Sequence, residues 1–173
     1  RPTRESNPFP ITATLTQAKA VKTTTGKTYK AGAKLTSDKS RTLIADDFKQ
    51  LTFKDDKTSV TLRYNLFVPQ DYDASKRYPL VLFMHDASGA NQNDNYTLLQ
   101  GNGATVWASP RDQAKHPCFV LAPQYDEIVV DDSFRVTPSA ETTIDLLDSI
   151  KAQYSIDADR SEERRVGKEC VLS

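Results

Sequence analysis

The residues able to do chemistry are few. The 173-residue chain holds two histidines, His85 and His116, and two cysteines, Cys118 and Cys170. The densest candidate is His85-Asp-Ala-Ser-Gly89, directly after the apolar run Leu80-Val-Leu-Phe-Met84. Ser88 invites assignment as a nucleophile, but no G-x-S-x-G surrounds it and no base is identified for it. Gly101-Asn-Gly103 lacks the third glycine of a dinucleotide fingerprint and does not directly follow a buried strand, so it reads as a loop entering a helix. The two histidines lie far apart without acidic spacing motifs, and no metal ligand set is assigned. Asp126, Glu127, Asp131 and Asp132 form an acidic loop, read as solvated, with calcium as the alternative. No H-E-x-x-H, P-loop or paired-carboxylate pattern stands out, and no cofactor is expected.

These groups need elements to hold them. Leu80-Val-Leu-Phe-Met84 has no polar alternation, as in a strand covered on both faces, and Cys118-Phe-Val-Leu-Ala122 is a second such run. Cys118 there reads as a small buried hydrophobe. Between the runs a helix is expected near residues 103–114, with Trp107 as packing on its face. A longer helix begins at Thr137-Pro138, with Thr137 as cap and Ile144, Leu146, Leu147, Ile150 and Tyr154 as its apolar stripe. Upstream, Leu51-Thr-Phe53 and Val60-Thr-Leu-Arg-Tyr-Asn-Leu-Phe-Val68 flank a polar turn and read as a hairpin. Residues 1–45 comprise a proline-rich leader and a small Thr- and Lys-rich β appendage, turning at Thr25-Gly26-Lys27 and Ala31-Gly32. The fold class is therefore α/β, with a mainly parallel sheet.

Residues 60–160 resemble the first half of an α/β-hydrolase, in particular bacterial esterases of the polyhydroxybutyrate-depolymerase and feruloyl-esterase-like group. That group neighbours prolyl-oligopeptidase-type peptidases. The resemblance rests on Tyr64-Asn-Leu-Phe-Val-Pro69, Tyr78-Pro-Leu-Val-Leu-Phe-Met-His-Asp-Ala-Ser-Gly89, Gln100-Gly-Asn-Gly-Ala-Thr-Val-Trp-Ala-Ser-Pro110, Gln113-Ala-Lys-His-Pro117, Cys118-Phe-Val-Leu-Ala-Pro-Gln124 and Tyr154-Ser-Ile-Asp-Ala-Asp-Arg160. It implies that the backbone N–H groups of Asp86 and Ala87 form half of an oxyanion hole, with His85 orienting the loop. The family more commonly has glycine where Asp86 stands. By the fold's chain order the serine, acid and histidine would lie beyond Arg160.

The last segment reads differently. Residues 160–170 are similar, over eleven consecutive positions, to the conceptual translation of a short-read sequencing adapter; the plainer reading is a charged, solvated tail. The domains are then 1–45 (leader and appendage), 46–160 (the N-terminal half of a hydrolase domain, with an incomplete sheet) and 161–173 (an artefactual tail). Without a further strand, Leu80-Val-Leu-Phe-Met84 would lie at a sheet edge and the chain would self-associate.

The 23 basic and 23 acidic residues cancel, which argues against a nucleic-acid partner held by bulk charge. The longest apolar run is too short for a spanning helix, so no membrane role is expected. The reading is a serine hydrolase acting on a small-molecule or polymer ester, inactive as given. The alternatives are a prolyl-oligopeptidase-type peptidase and a non-catalytic β-rich carbohydrate- or surface-binding module. Extracellular placement follows from the resemblance alone. The genomic locus read past codon 160 is expected to encode G-x-S-x-G within about 15 codons; an in-frame continuation of residues 161–173 would contradict it.

Overall fold

The computed structural model describes residues 13–37 and 44–160, and the backbone of 162–165. The chain divides into two compact units, one of Phe9–Thr42 and one of Arg1–Pro8 with Leu43–Ser173.

In the smaller unit, β1 (Thr14–Thr16) pairs antiparallel with β4 (Lys34–Thr36), and β2 (Val21–Lys22) with β3 (Thr28–Tyr29). Gly26 and Gly32 turn the chain at φ 86° and 82°, a region L-residues rarely adopt. None of residues 13–37 is buried.

The larger unit is organised by one five-stranded mixed sheet. Its strands are β5 (Lys49–Lys54), β6 (Thr61–Phe67), β7 (Leu80–Met84), β8 (Phe119–Gln124) and β9 (Glu162–Arg165). Their order is β5-β6-β8-β7-β9. The β5–β6 and β6–β8 pairings are antiparallel, and β8–β7 and β7–β9 are parallel. The expected hairpin is thus present, and both apolar runs lie inside the sheet.

Side chains alternate across that sheet, so each apolar strand serves two cores. Leu80, Leu82, Met84, Phe119 and Leu121 face one cluster with Leu62, Leu66, Tyr125, Leu146 and Ile150. Val81, Phe83, Val120 and Ala122 face the other with Phe48, Leu98, Leu99, Ala104 and Cys118. Trp107 packs against this second cluster, as expected of a packing residue. Cys118 is a free, buried thiol, and burial pushes its pKa up to about 11. An all-β binding module, one of the alternatives above, does not have this architecture.

Four local expectations are corrected. The helix over 103–114 is replaced by turns followed by one short helix, α2 (Pro110–Gln113), and a further short helix, α1 (Tyr96–Leu99), precedes the span. Gly101 and Asn102 sit at φ 61° and 57°. Ser109, preceding a proline, is extended, and its side chain accepts from Asp112 N–H to start α2. Second, Thr137 occupies the cap position of α3 (Pro138–Gln153) but makes no side-chain cap; its hydroxyl donates to the Val129 carbonyl instead. Third, of the expected stripe on α3, Leu146 and Ile150 are buried and Leu147 and Tyr154 pack against them, but Ile144 is 60% exposed, and Ser139, Thr142 and Thr143 complete the buried face. Hydroxyls fill the first turns because they have partners there: Thr142 meets Thr58 at 2.6 Å, and Thr143 meets Tyr125 at 3.1 Å.

The fourth correction concerns the edge. β7 is internal, because β9 lies parallel to it in the register Val81↔Glu162 to Met84↔Arg165. The chain is led there before Arg160: Tyr78 bridges Ile156 in parallel, and Asp157 N–H donates to the Tyr78 carbonyl. A ladder needs only backbone groups, so a charged sequence can complete it. Among the described residues no helix is long and apolar enough to cross a membrane.

Among the described glycines, the closest packing is at Gly103 in the Gln100–Ala108 segment. A Cβ on Gly103 would sit 2.0 Å from Phe83 Cε2, and Phe83 is only 1% exposed. Gly103→Ala is expected to lower stability by about 1–3 kcal/mol through overpacking, measured by urea unfolding. A wild-type midpoint would show that Phe83 has room to move.

Candidate functional site

β7 and β8 run parallel, so both end on the same side of the sheet, where the loops of open α/β sheets bind ligands. His85–Gly89 follows β7 there, and Gln124 and Tyr125 close β8.

His85 ties the two ends together. The Tyr125 backbone N–H donates to His85 Nε2 at 3.0 Å, and Gln124 Nε2 lies 3.2 Å from the same nitrogen. A backbone N–H can only donate, so Nε2 is an acceptor and the ring proton sits on Nδ1. Nδ1–H then donates to the Asp86 carbonyl at 2.7 Å. Burial moves the imidazole pKa below its ordinary value, against the opposing pull of Asp86. Gly89 makes room for the ring: a Cβ there would stand 2.5 Å from Nδ1.

That hydrogen bond has a consequence one atom away. The Asp86 carbonyl and the Ala87 N–H belong to one planar trans peptide and point in opposite directions. The carbonyl also accepts from Gly89 N–H at 3.0 Å. With the oxygen held twice, the direction of the Ala87 N–H is set, and that group has no acceptor among the described residues.

Asp86 fits without strain. It starts the 3-10 turn Ala87–Gly89 at φ −74°, ψ 176°, extended backbone open to any residue. A glycine is therefore not required by geometry. Its Oδ1 accepts from Ser88 N–H (2.8 Å), the Ser88 hydroxyl (2.6 Å) and Gln100 Nε2 (2.8 Å). Burial acts to raise the carboxyl pKa, but the bonds from Ser88 and Gln100 outweigh it and hold it below the usual range. The Asp86 N–H donates to Gln100 Oε1 at 3.3 Å. Of the two backbone donors expected here, one is thus engaged by Gln100 and the other, at Ala87, is open. The Ser88 hydroxyl faces this carboxylate and Gln100, with no imidazole as partner.

A buried polar seam supports the loop. Gln124, 1% exposed, accepts from Thr97 N–H (3.1 Å) and donates to the Gly89 carbonyl (2.7 Å). Asn65 donates to the Asp94 carbonyl at 2.7 Å, and Arg63 clamps Asp94 and Asp126 together. Gln100 and Gln124 stand in the segments that carry the resemblance, yet their roles were not read from sequence. The signal for Gln124 was an amide at the end of an otherwise apolar strand.

The remaining candidates are not brought to this loop. His116 is exposed and its N–H donates to the Asp112 carbonyl. In the acidic loop, Asp126 pairs with Arg63, Glu127 accepts from Ser139, and Asp131 binds Ser133 and Arg135. Among the described residues no three acidic, histidine or cysteine side chains form a metal-ligating group. A pocket of about 400 Å³ lies instead between Lys57–Thr58 and the start of α3.

No protein-family model and no curated protein matches the chain. Among solved structures it is similar to a thermostable esterase, at 29% identity and a TM-score of 0.81, over 96% of this chain and 46% of that one. It is also similar to a CE1 ferulic acid esterase from the anaerobic fungus Anaeromyces mucronatus (15% identity, TM-score 0.48, 69% and 49% covered). A third is S-formylglutathione hydrolase from Staphylococcus aureus (12%, 0.49, 68% and 46%). The chain spans about half the length of these structures. Its fold is the mixed α/β sheet of an α/β-hydrolase-like esterase.

Because the folded pKa of His85 lies below its unfolded value, the neutral ring's contribution is fully present above the ordinary histidine value. It is lost as pH falls through the lowered pKa. Nitrogen-15 NMR of the His85 ring is expected to show the neutral Nδ1–H tautomer persisting below about pH 6.5. An imidazolium at that pH would sink the assignment.

Proposed function

We propose that the chain is the N-terminal part of a carboxylic-ester hydrolase that works by serine acyl transfer. The observation that carries this is the Asp86–Ala87 peptide, held by His85 and Gly89 so that the Ala87 N–H stands open beside the ends of the parallel strands. In such a reaction a serine oxygen adds to the ester carbonyl while its proton passes to a histidine. The carbonyl oxygen becomes an oxyanion, and the alcohol leaves with that proton. Ala87 N–H would be one of the two donors that receive the oxyanion. Asp86 N–H could join only after Gln100 lets go of it.

The nucleophile strand would stand beside β7. That position accepts a parallel strand directly after Arg160, as β9 illustrates. In this reading residues 161–173 replace the parent's own continuation, and the serine, acid and histidine follow in the parent gene. The similarity to a thermostable esterase over nearly all of this chain supports ester rather than peptide chemistry.

The chain as given is expected to release no p-nitrophenol from acetate or butyrate esters above background, because a donor without a nucleophile cannot form an acyl-enzyme. A burst abolished by a fluorophosphonate would overturn the reading. In the full-length parent, Asp86→Gly should retain at least about a tenth of kcat/KM. Near-complete loss would give the carboxylate itself a chemical role.

A further inference from the structure

Whole-chain neutrality conceals a strong division of charge. Phe9–Thr42 carries seven basic residues and a single acidic one, Asp38. Its described part, residues 13–37, holds Lys19, Lys22, Lys27, Lys30 and Lys34 and no carboxylate side chain. All five lysines are exposed, and none has an acidic partner among the described residues.

The strand registers sort this surface into faces. Leu15 pairs with Leu35 and Val21 with Tyr29, which places these apolar residues on one face of each ladder. The opposite faces carry only hydroxyls and ammonium groups: Thr14, Thr16, Lys34 and Thr36 on one ladder, and Lys22 and Thr28 on the other. The Thr14 and Thr36 hydroxyls touch at 3.0 Å, so these side chains stand together in one row. Thr23 and Thr25 add a second hydroxyl pair at 2.8 Å.

We propose that the lysine- and threonine-bearing faces of these two ladders bind an acidic polysaccharide. Ammonium groups on flexible stems suit carboxylates spaced along a polymer, and threonine hydroxyls suit the sugar hydroxyls between them. Nucleic acid fits less well. Residues 13–37 contain no arginine to fork onto phosphates, and their one aromatic ring, Tyr29, already has the Lys27 ammonium 5.1 Å from its centre. The proposal concerns this unit alone and does not depend on ester hydrolysis.

The test is affinity electrophoresis of the full 173-residue chain through gels containing polygalacturonate, neutral galactan or neither. Retardation by polygalacturonate alone, weakening with salt, is expected. Lys22→Gln and Lys34→Gln together should weaken it by on the order of twenty-five-fold, about fivefold for each cation removed. The corresponding lysine-to-arginine variant should keep it, with circular dichroism checking that both variants fold. No retardation, equal retardation by galactan, or an unchanged glutamine variant would overturn the proposal. So would tighter binding of double-stranded DNA or of phosphatidylserine vesicles than of polygalacturonate.

Discussion

The structure depends on one constraint: a strand that is apolar on both faces must be covered on both faces. β7 has a buried residue at each of its five positions, and β8 at each of its six. Burying one such side chain contributes roughly 1.5–3 kcal/mol, so leaving either face bare would remove much of a typical net stability of about 5–15 kcal/mol. Placing α3 under one face and the Tyr96–Ala108 segment under the other meets that demand. It also leaves the ends of two parallel strands side by side, with their loops nowhere to go but over the sheet's rim.

At that rim apolar packing gives way to hydrogen bonding. The change occurs within two residues, at Met84–His85 on one strand and Ala122–Gln124 on the other. His85 and Gln124 are the hinge of this transition, each bonded to the other strand's end. Buried polar groups cost stability unless their bonds are made, and here most are. The exceptions, Asn65 Oδ1 and Thr97 Oγ1, lie in the seam behind the loop. A seam of this kind fixes the loop to one arrangement more strictly than apolar contacts would, because hydrogen bonds are directional.

How far the sequence could be read followed the range of the forces involved. The hairpin and both buried strands were legible because alternation, or its absence, is written in consecutive residues. The helix over 103–114 was not, because Ser109, extended before Pro110, divides it at a point that composition does not weigh. Ile144 was misplaced because the buried stripe of α3 starts with Ser139, Thr142 and Thr143, whose burial depends on partners far along the chain. The strand at Glu162–Arg165 has no apolar signal at all. At the candidate site, His85, Asp86 and Ala87 were found by their place after a buried strand. The two glutamines that hold them were not, since an amide's role is set by what it meets in space.

The division of charge also bears on how the molecule behaves in solution. Its isoelectric point of about 6.9 describes a sum, not a uniform surface. At low ionic strength the basic unit of one molecule attracts the acidic remainder of another, although each chain is neutral as a whole. Added salt screens that attraction within about 10 Å at 0.1 M. Near neutral pH this protein would therefore salt in: its solubility would rise with the first additions of electrolyte, where a uniformly charged protein of the same size would already be kept apart by repulsion.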